Sequence, residues 1–355
     1  MFTKTFLSKK DSQVLYGLAA VLMVYHHTLA TPYLFPVLGI GNNLSSYDYL
    51  PIYLPIEDVI RNTFKICVSL FAFITGYGLF TKCLLNPASG LQRLRDNYKV
   101  ILKHLYKFYK HYWVVFFIFV PIGLYGGILS FRINDFLLNL VGYESTYNGT
   151  WWYVWEYVTM LLLFPLIEYV ISPEKYFSNN KMVYMLCFFT VLVIYFSLYK
   201  FKVINIYPNK SEDPLNYILV LIEGLLFSKY NIFSLLKSIR LLNNWGTNII
   251  GLALCFHIMV YSQYRHAILL ATPILIFSFI SLLRALSLNR ISNGLCFIGR
   301  YSVYIWLTHF FYLVLYFQRI ALLPRISWLI GIWVIILSLT TGIVLNRIYN
   351  LVFRV

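Results

Sequence analysis

The feature that most constrains this chain is a succession of apolar runs, at about 13–31, 63–81, 111–130, 151–171, 182–199, 214–228, 248–262, 266–283, 301–318 and 327–346. Runs near 20 residues match what an α-helix needs to cross a hydrocarbon layer of roughly 30 Å. Inside lipid the backbone must satisfy its own N–H and C=O groups, which a helix does within one segment. A membrane barrel would instead read as segments of about ten residues with alternating polarity. Charged residues make up 12% of the chain and hydrophobic residues 60%, where soluble proteins carry about 25% charge. The expectation is an all-α, polytopic integral-membrane bundle of about ten transmembrane helices, a single domain over residues 1–355. The sixth and seventh runs are short for a full crossing, so they are expected to be tilted, partly re-entrant or differently bounded. The same composition excludes collagen, a disulfide scaffold and a disordered tail.

The formal net charge of +16 would suit a nucleic-acid binder, but lysine and arginine of helical membrane proteins collect in cytoplasmic loops. No nucleic-acid partner is expected. With the N-terminus inside, the inward segments hold about two thirds of the 29 Lys and Arg, which places both termini in the cytoplasm and the chain in the cell membrane. The first run is followed by no small-residue cleavage site and is read as a retained helix. Cys67, Cys83, Cys187, Cys255 and Cys296 form no close pair, so neither a metal site nor a disulfide framework is indicated. Neither a Walker loop nor a dinucleotide fingerprint follows a strand, which argues against a nucleotide-driven pump. Nothing in the sequence sets an oligomeric state.

An ionisable side chain in a membrane helix is costly unless it faces the protein interior or water, so such residues are the first candidates for function. Tyr16 and His27 are three turns plus about 20° apart on the first helix, on one face and about 16 Å from each other. His26 points about 100° away, so one histidine is expected to look into the bundle. Both are equally compatible with structural hydrogen bonds near the outer interface. Between the second and third runs Lys99, Lys103, Lys107 and Lys110 form one helical stripe, with Arg93 and Arg95 upstream and His104 and His111 among them. Such a stripe can pair with phosphates or attract anionic lipid. Aromatic residues are 19% of the chain, more than interfacial belts need, and some are placed to stack on sugar rings.

Four strings, in order and spanning nearly the whole chain, carry a resemblance. They are Tyr16-Gly-Leu-Ala-Ala-Val-Leu-Met-Val-Tyr-His-His27, Cys67-Val-Ser-Leu-Phe-Ala-Phe-Ile-Thr-Gly-Tyr-Gly-Leu79, Trp151-Trp-Tyr-Val-Trp-Glu156 leading to Phe164-Pro165, and Ile298-Gly-Arg-Tyr-Ser-Val-Tyr-Ile-Trp-Leu-Thr-His309. Together they resemble the membrane-bound acyltransferase-3 family, in particular the branch that O-acetylates capsular and other cell-surface polysaccharides. The resemblance implies transfer of an acetyl group from cytoplasmic acetyl-CoA to a hydroxyl of a polysaccharide or its lipid-linked repeat unit. It implies that His27 is the essential histidine, as general base or as a transiently acetylated nucleophile; imidazole suits either role. It also implies that Lys103, Lys107 or Lys110 contacts the coenzyme's phosphates, and that Trp151, Trp152, Ser302 and His309 serve the acceptor side.

The chain departs from the family's common pattern at two positions. Tyr16 stands where many members have Arg or Lys, and Ser69 where many have Asp. A serine does not stabilise an imidazolium as a carboxylate does, so the acid partner of His27 is expected elsewhere, first at Glu156 and otherwise at Glu57 or Asp58. Glu168 and Glu223 are expected to be structural, as are His257 and His266, and packing is expected for Gly299 and Trp306. A polysaccharide flippase or transporter is the rival reading, since its intramembrane ionisable residues would line a substrate path without coenzyme A. A sugar polymerase is less favoured, because no long extracytoplasmic loop is present.

Overall fold

The computed structural model describes residues 6–37, 55–83, 88–172, 214–261 and 267–353. Among these the chain is helical throughout, with no strand. The first half contains α1 (Lys9–Val37), α2 (Pro55–Phe64), α3 (Ile66–Cys83), α4 (Gly90–Tyr125), α5 (Ile133–Leu140) and, after a 3₁₀ turn at Gly149–Trp151, α6 (Trp152–Ile171). The second half contains α7 (Pro214–Lys229), α8 (Ile232–Ser238), α9 (Trp245–Tyr261), α10 (Ala267–Ala285), α11 (Asn289–Arg300), α12 (Ser302–Phe310), a π turn at Phe311–Leu315, α13 (Gln318–Ala321) and α14 (Ser327–Phe353).

Five of these helical stretches are long and apolar enough to cross a membrane: Ile56–Cys83, Gly90–Tyr125, Gly149–Ile171, Ala267–Ala285 and Ser327–Phe353. A sixth is the pair α7 and α8, bent by 60° at the break between them, which is the physical form of the short sixth run. The expected run at 182–199 lies outside the described residues. The expected continuous helix at 301–318 is interrupted by the π turn, in which the Tyr316 N–H bonds the Phe311 carbonyl five residues back. The outer face of α14 presents Leu329, Ile332, Ile336 and Val344, while Ile330, Val334 and Leu345 are buried. An apolar face of that extent is a liability in water and an ordinary surface in lipid.

Close helix crossings hold the bundle together. At the α3–α7 crossing, a Cβ on Gly76 would strike the Leu221 backbone and one on Gly224 the Phe73 backbone. At the α1–α11 crossing, Gly17 and Gly299 abut in the same reciprocal way, so Gly299 is a packing residue as expected. Small residues let helix backbones approach where no hydrophobic force drives association within lipid. Tyr25 of α1 donates to the Trp328 carbonyl at 3.0 Å and packs on Gly331, so the C-terminal half of α1 lies beside the start of α14. The beginning of α1 and the end of α14 are therefore at the same end of the bundle.

That end is closed by a buried ion pair. Arg93 and Glu168 are both fully buried; the guanidinium donates to Glu168 at 3.0 Å and to the Cys83 carbonyl at 2.9 Å. The second oxygen of Glu168 accepts from Asn97 at 3.0 Å. One carboxylate thus ties α6 to the start of α4 and the end of α3. The structural role expected for Glu168 is found, whereas Arg93 is set apart from the exposed basic stripe it precedes.

Candidate active site

The site is built on α1 about 27 Å from its first residue, at the rise of 1.5 Å per residue. A cavity of about 110 Å³ lies there, walled by Met23, His26 and His27 of α1 and by Cys67, Val68 and Phe71 of α3. Thr150, Trp152 and Tyr153 at the start of α6, Tyr217 of α7 and Trp306 of α12 complete it, with Lys65 from the one-residue break between α2 and α3. Five segments distant in sequence converge because the glycine crossings bring α1, α3, α7 and the helices after α11 together.

Local hydrogen bonds set the wall. Asn148 caps the 3₁₀ turn, its Oδ1 accepting from the Thr150 N–H at 3.0 Å and the Thr150 hydroxyl at 2.8 Å. Trp306 Nε1 donates to the Thr150 carbonyl at 3.2 Å, which pins α12 to the start of α6. A tryptophan buried in an apolar setting needs such a partner for its N–H.

The histidine chemistry follows from three contacts. Nδ1 of His309 lies 3.0 Å from the Ile305 carbonyl and 2.8 Å from the Trp306 carbonyl. Carbonyls only accept, so in the neutral ring this nitrogen carries the hydrogen and Nε2 the lone pair. That Nε2 is 3.1 Å from His27 Nδ1, so His27 Nδ1–H donates to it, and also to the Met23 carbonyl at 3.0 Å. The network thereby assigns neutral His27 the tautomer whose lone pair is on Nε2, the form that can take a proton from a hydroxyl. His26 donates from Nδ1 to the Arg61 carbonyl at 2.7 Å. Both histidines line the cavity, so His26, whose direction the sequence left open, faces the same space as His27.

The predicted residues divide around this cavity. His27, Trp152 and Trp306 line it, and His309 touches His27 directly. Trp306, expected to pack, also lines the cavity. Trp151 is sealed in the core with its Nε1 donating to the Leu307 carbonyl at 3.1 Å. Ser302 is buried two turns before His309, and Glu156 is buried within α6; neither lines the cavity. Ser69 is buried in α3, donates to the Ile66 carbonyl at 2.8 Å and accepts from Thr272 of α10 at 2.7 Å. Glu57 accepts from Ser327 at 2.8 Å and Asp58 pairs with Arg61 at 2.6 Å, so both serve the α2 region.

Lys103 and Lys107 are exposed along the first half of α4, and Lys110 sits over the rings of Tyr106 and Phe353, 4.4 and 4.5 Å from their centroids. The stripe is helical as expected. Lys65, Thr150, Tyr153 and Tyr217 escaped sequence reasoning. Lys65 carried a usable signal, a cation inside an apolar run; the others carried none. Among the described residues no group of three or more His, Cys, Asp or Glu could hold a metal ion.

A family model for an acyltransferase domain matches residues 13–347. No curated protein and no solved structure matches the chain.

Proposed function

Since the chain belongs to the acyltransferase-3 family, we propose that it is a membrane-bound O-acetyltransferase moving acetyl from cytoplasmic acetyl-CoA to a hydroxyl of a cell-surface polysaccharide or its lipid-linked repeat unit. The observation that carries this reading is His27, held as the Nε2 base by two acceptors on Nδ1 and set in the wall of a small cavity. In the reading, the acceptor oxygen attacks the thioester carbonyl carbon while its proton passes to His27 Nε2. The tetrahedral intermediate collapses by breaking the carbon–sulfur bond, and the departing thiolate takes that proton back. His309 supports the imidazolium by accepting from Nδ1–H. Lys65 is the sole Lys, Arg, Asp or Glu among the lining residues, and its charge favours the oxyanion.

The basic end of the bundle, carrying Lys103, Lys107 and Lys110 with the beginning of α1 and the end of α14, is the cytoplasmic one in this reading, as in the ten-span topology with both termini inside. The coenzyme's phosphates meet that lysine stripe and its extended arm reaches toward His27. About 110 Å³ is room for a few waters at roughly 30 Å³ each, which suits a two-carbon acyl group. Trp152 and Trp306 offer faces to the acceptor sugar, with Trp151 and Ser302 supporting them from behind. Glu156 is a buried acid of the same helix start that shapes the field at the site.

The test is base-labile O-acetyl on the surface polysaccharide, read by proton NMR before and after mild alkali. Acetyl is expected with the wild-type protein and absent with His27→Ala or without the gene, at unchanged polymer yield. Loss of the polymer itself, or acetylation independent of the protein, would replace this reading with a transporter.

A further inference from the structure

A second cavity lies at the beginning of α1, far from His27. It is an open groove of about 600 Å³ lined by Lys9, Lys10 and Gln13 of α1 and by Asn293, Cys296 and Arg300 of α11. Every lining residue that could offer an acceptor side chain has it engaged. Lys10 Nζ donates to Asn293 Oδ1 at 2.8 Å, and the Cys296 thiol donates to Gln13 Oε1 at 3.3 Å. What remains are donors: the Lys9 and Lys10 ammonium groups, the Arg300 guanidinium and the two amide NH₂ groups. The carboxylate on the same turn, Asp11, is neutralised elsewhere, accepting from Ser8 N–H and from Arg284, both at 2.8 Å. Three cations facing one space without a counter-charge among the described residues repel one another, and the arrangement fits a multivalent oxyanion such as a phosphate group.

Two further features select the source of that phosphate. The groove ends where Gly17 and Gly299 bring the α1 and α11 backbones into contact, so no arm passes between these helices from the groove to His27. Phe297 shares the face of Asn293 and Arg300 and is 43% exposed. An oxyanion pocket beside an exposed aromatic side chain, on a helix of a membrane protein, matches an amphiphile with a phosphate head and an acyl tail. We propose that the groove between α1 and α11 is a headgroup site for an anionic phospholipid.

The test compares the wild type, Lys10→Gln/Arg300→Gln, and Lys237→Gln/Arg240→Gln as a control at two exposed cations of the same end of the bundle. Phosphatidylglycerol retained by the detergent-solubilised protein is titrated by native mass spectrometry, against phosphatidylcholine and adenosine 3′,5′-bisphosphate, with melting temperatures to verify folding. The groove variant is expected to hold phosphatidylglycerol roughly 30-fold more weakly, at about fivefold per cation. The control variant is expected to match the wild type, and none to retain phosphatidylcholine. Equal retention by wild type and groove variant, or equal losses in both variants, would overturn the site as a diffuse attraction. Loss of the nucleotide alone from the groove variant would overturn it in favour of a soluble phosphate ligand. If the double variant melts far below the wild type, Lys9→Gln, which makes no internal bond among those described, gives the same reading with about a fivefold loss.

Discussion

Replacing His309 with phenylalanine isolates the hydrogen bond behind His27. Phenylalanine keeps the buried ring but offers no lone pair at the Nε2 position. No donor is orphaned, since His27 Nδ1–H retains the Met23 carbonyl at 3.0 Å, and the carbonyls that His309 bonded belong to its own helix. Melting temperature should therefore change little. In the resting enzyme the lost bond is neutral and contributes about 1 kcal/mol, whereas to the imidazolium formed during transfer it contributes roughly 1.5–3 kcal/mol. The difference, about 0.5–2 kcal/mol, is felt only when His27 carries the proton and predicts a fall in kcat of roughly 2- to 30-fold with KM for acetyl-CoA nearly constant. The assay is incorporation of labelled acetyl from acetyl-CoA into polymer by isolated membranes. His309→Gln, whose amide oxygen can accept, should recover part of the rate. His27→Ala should lose about 10²- to 10⁴-fold. An unchanged kcat in His309→Phe, or a change confined to KM, would refute the assigned hydrogen bond as a part of catalysis.

Other substitutions probe separate parts of the molecule. Lys65→Met, measured in the same assay, should lower kcat by roughly 10-fold or more by removing the cation beside the developing oxyanion, and Lys65→Arg should retain most of it. Membranes carrying the wild type should use acetyl-CoA faster than octanoyl-CoA, because a cavity of about 110 Å³ seats a two-carbon acyl group within its walls and leaves an eight-carbon one to extend outside them; comparable rates would contradict the proposed donor pocket. Glu168→Gln should destabilise the protein by about 3–5 kcal/mol by leaving Arg93 buried without its counter-charge, seen as a drop in melting temperature, and Arg93→Met/Glu168→Leu should regain much of that loss. Gly76→Val should prevent the α3–α7 approach and reduce the yield of folded protein, while Gly78→Ala, where a Cβ meets nothing within 4 Å, should be neutral.

Hydropathy made the helices legible, because solvation by lipid acts on each segment by itself. It located α1, α3, α4, α6, α10 and α14 and marked the run that becomes the bent pair α7 and α8. The helical stripe from Lys99 to Lys110 was equally local. What could not be read depends on partners distant in the chain. Arg93 looked like a member of a cytoplasmic basic cluster, and the carboxylate that meets it in the core, Glu168, is 75 residues on. The break at Lys65 has neither Pro nor Gly to announce it. Ser69 was recognised as an odd residue at an acid's position, yet the group that meets His27 is another histidine, 282 positions later. A search for carboxylates could not propose it, since histidine partners histidine only when the tautomers of both rings are fixed by neighbouring carbonyls.

The Arg93–Glu168 pair also imposes an order on biogenesis. Arg93 leaves the ribosome 75 residues before Glu168, an interval of about 4–15 s at 5–20 residues per second. Through that time Arg93 lacks Glu168, and its guanidinium stays among lipid headgroups, where a long basic side chain rests at little cost. Only when α6 emerges can Arg93, Asn97 and the Cys83 carbonyl fold inward around one acid. The pair thus works as a latch that stays open until the polypeptide supplies its second part, so a nascent chain arrested between residues 100 and 160 keeps the start of α4 accessible from the aqueous side, and a chain released beyond α6 does not.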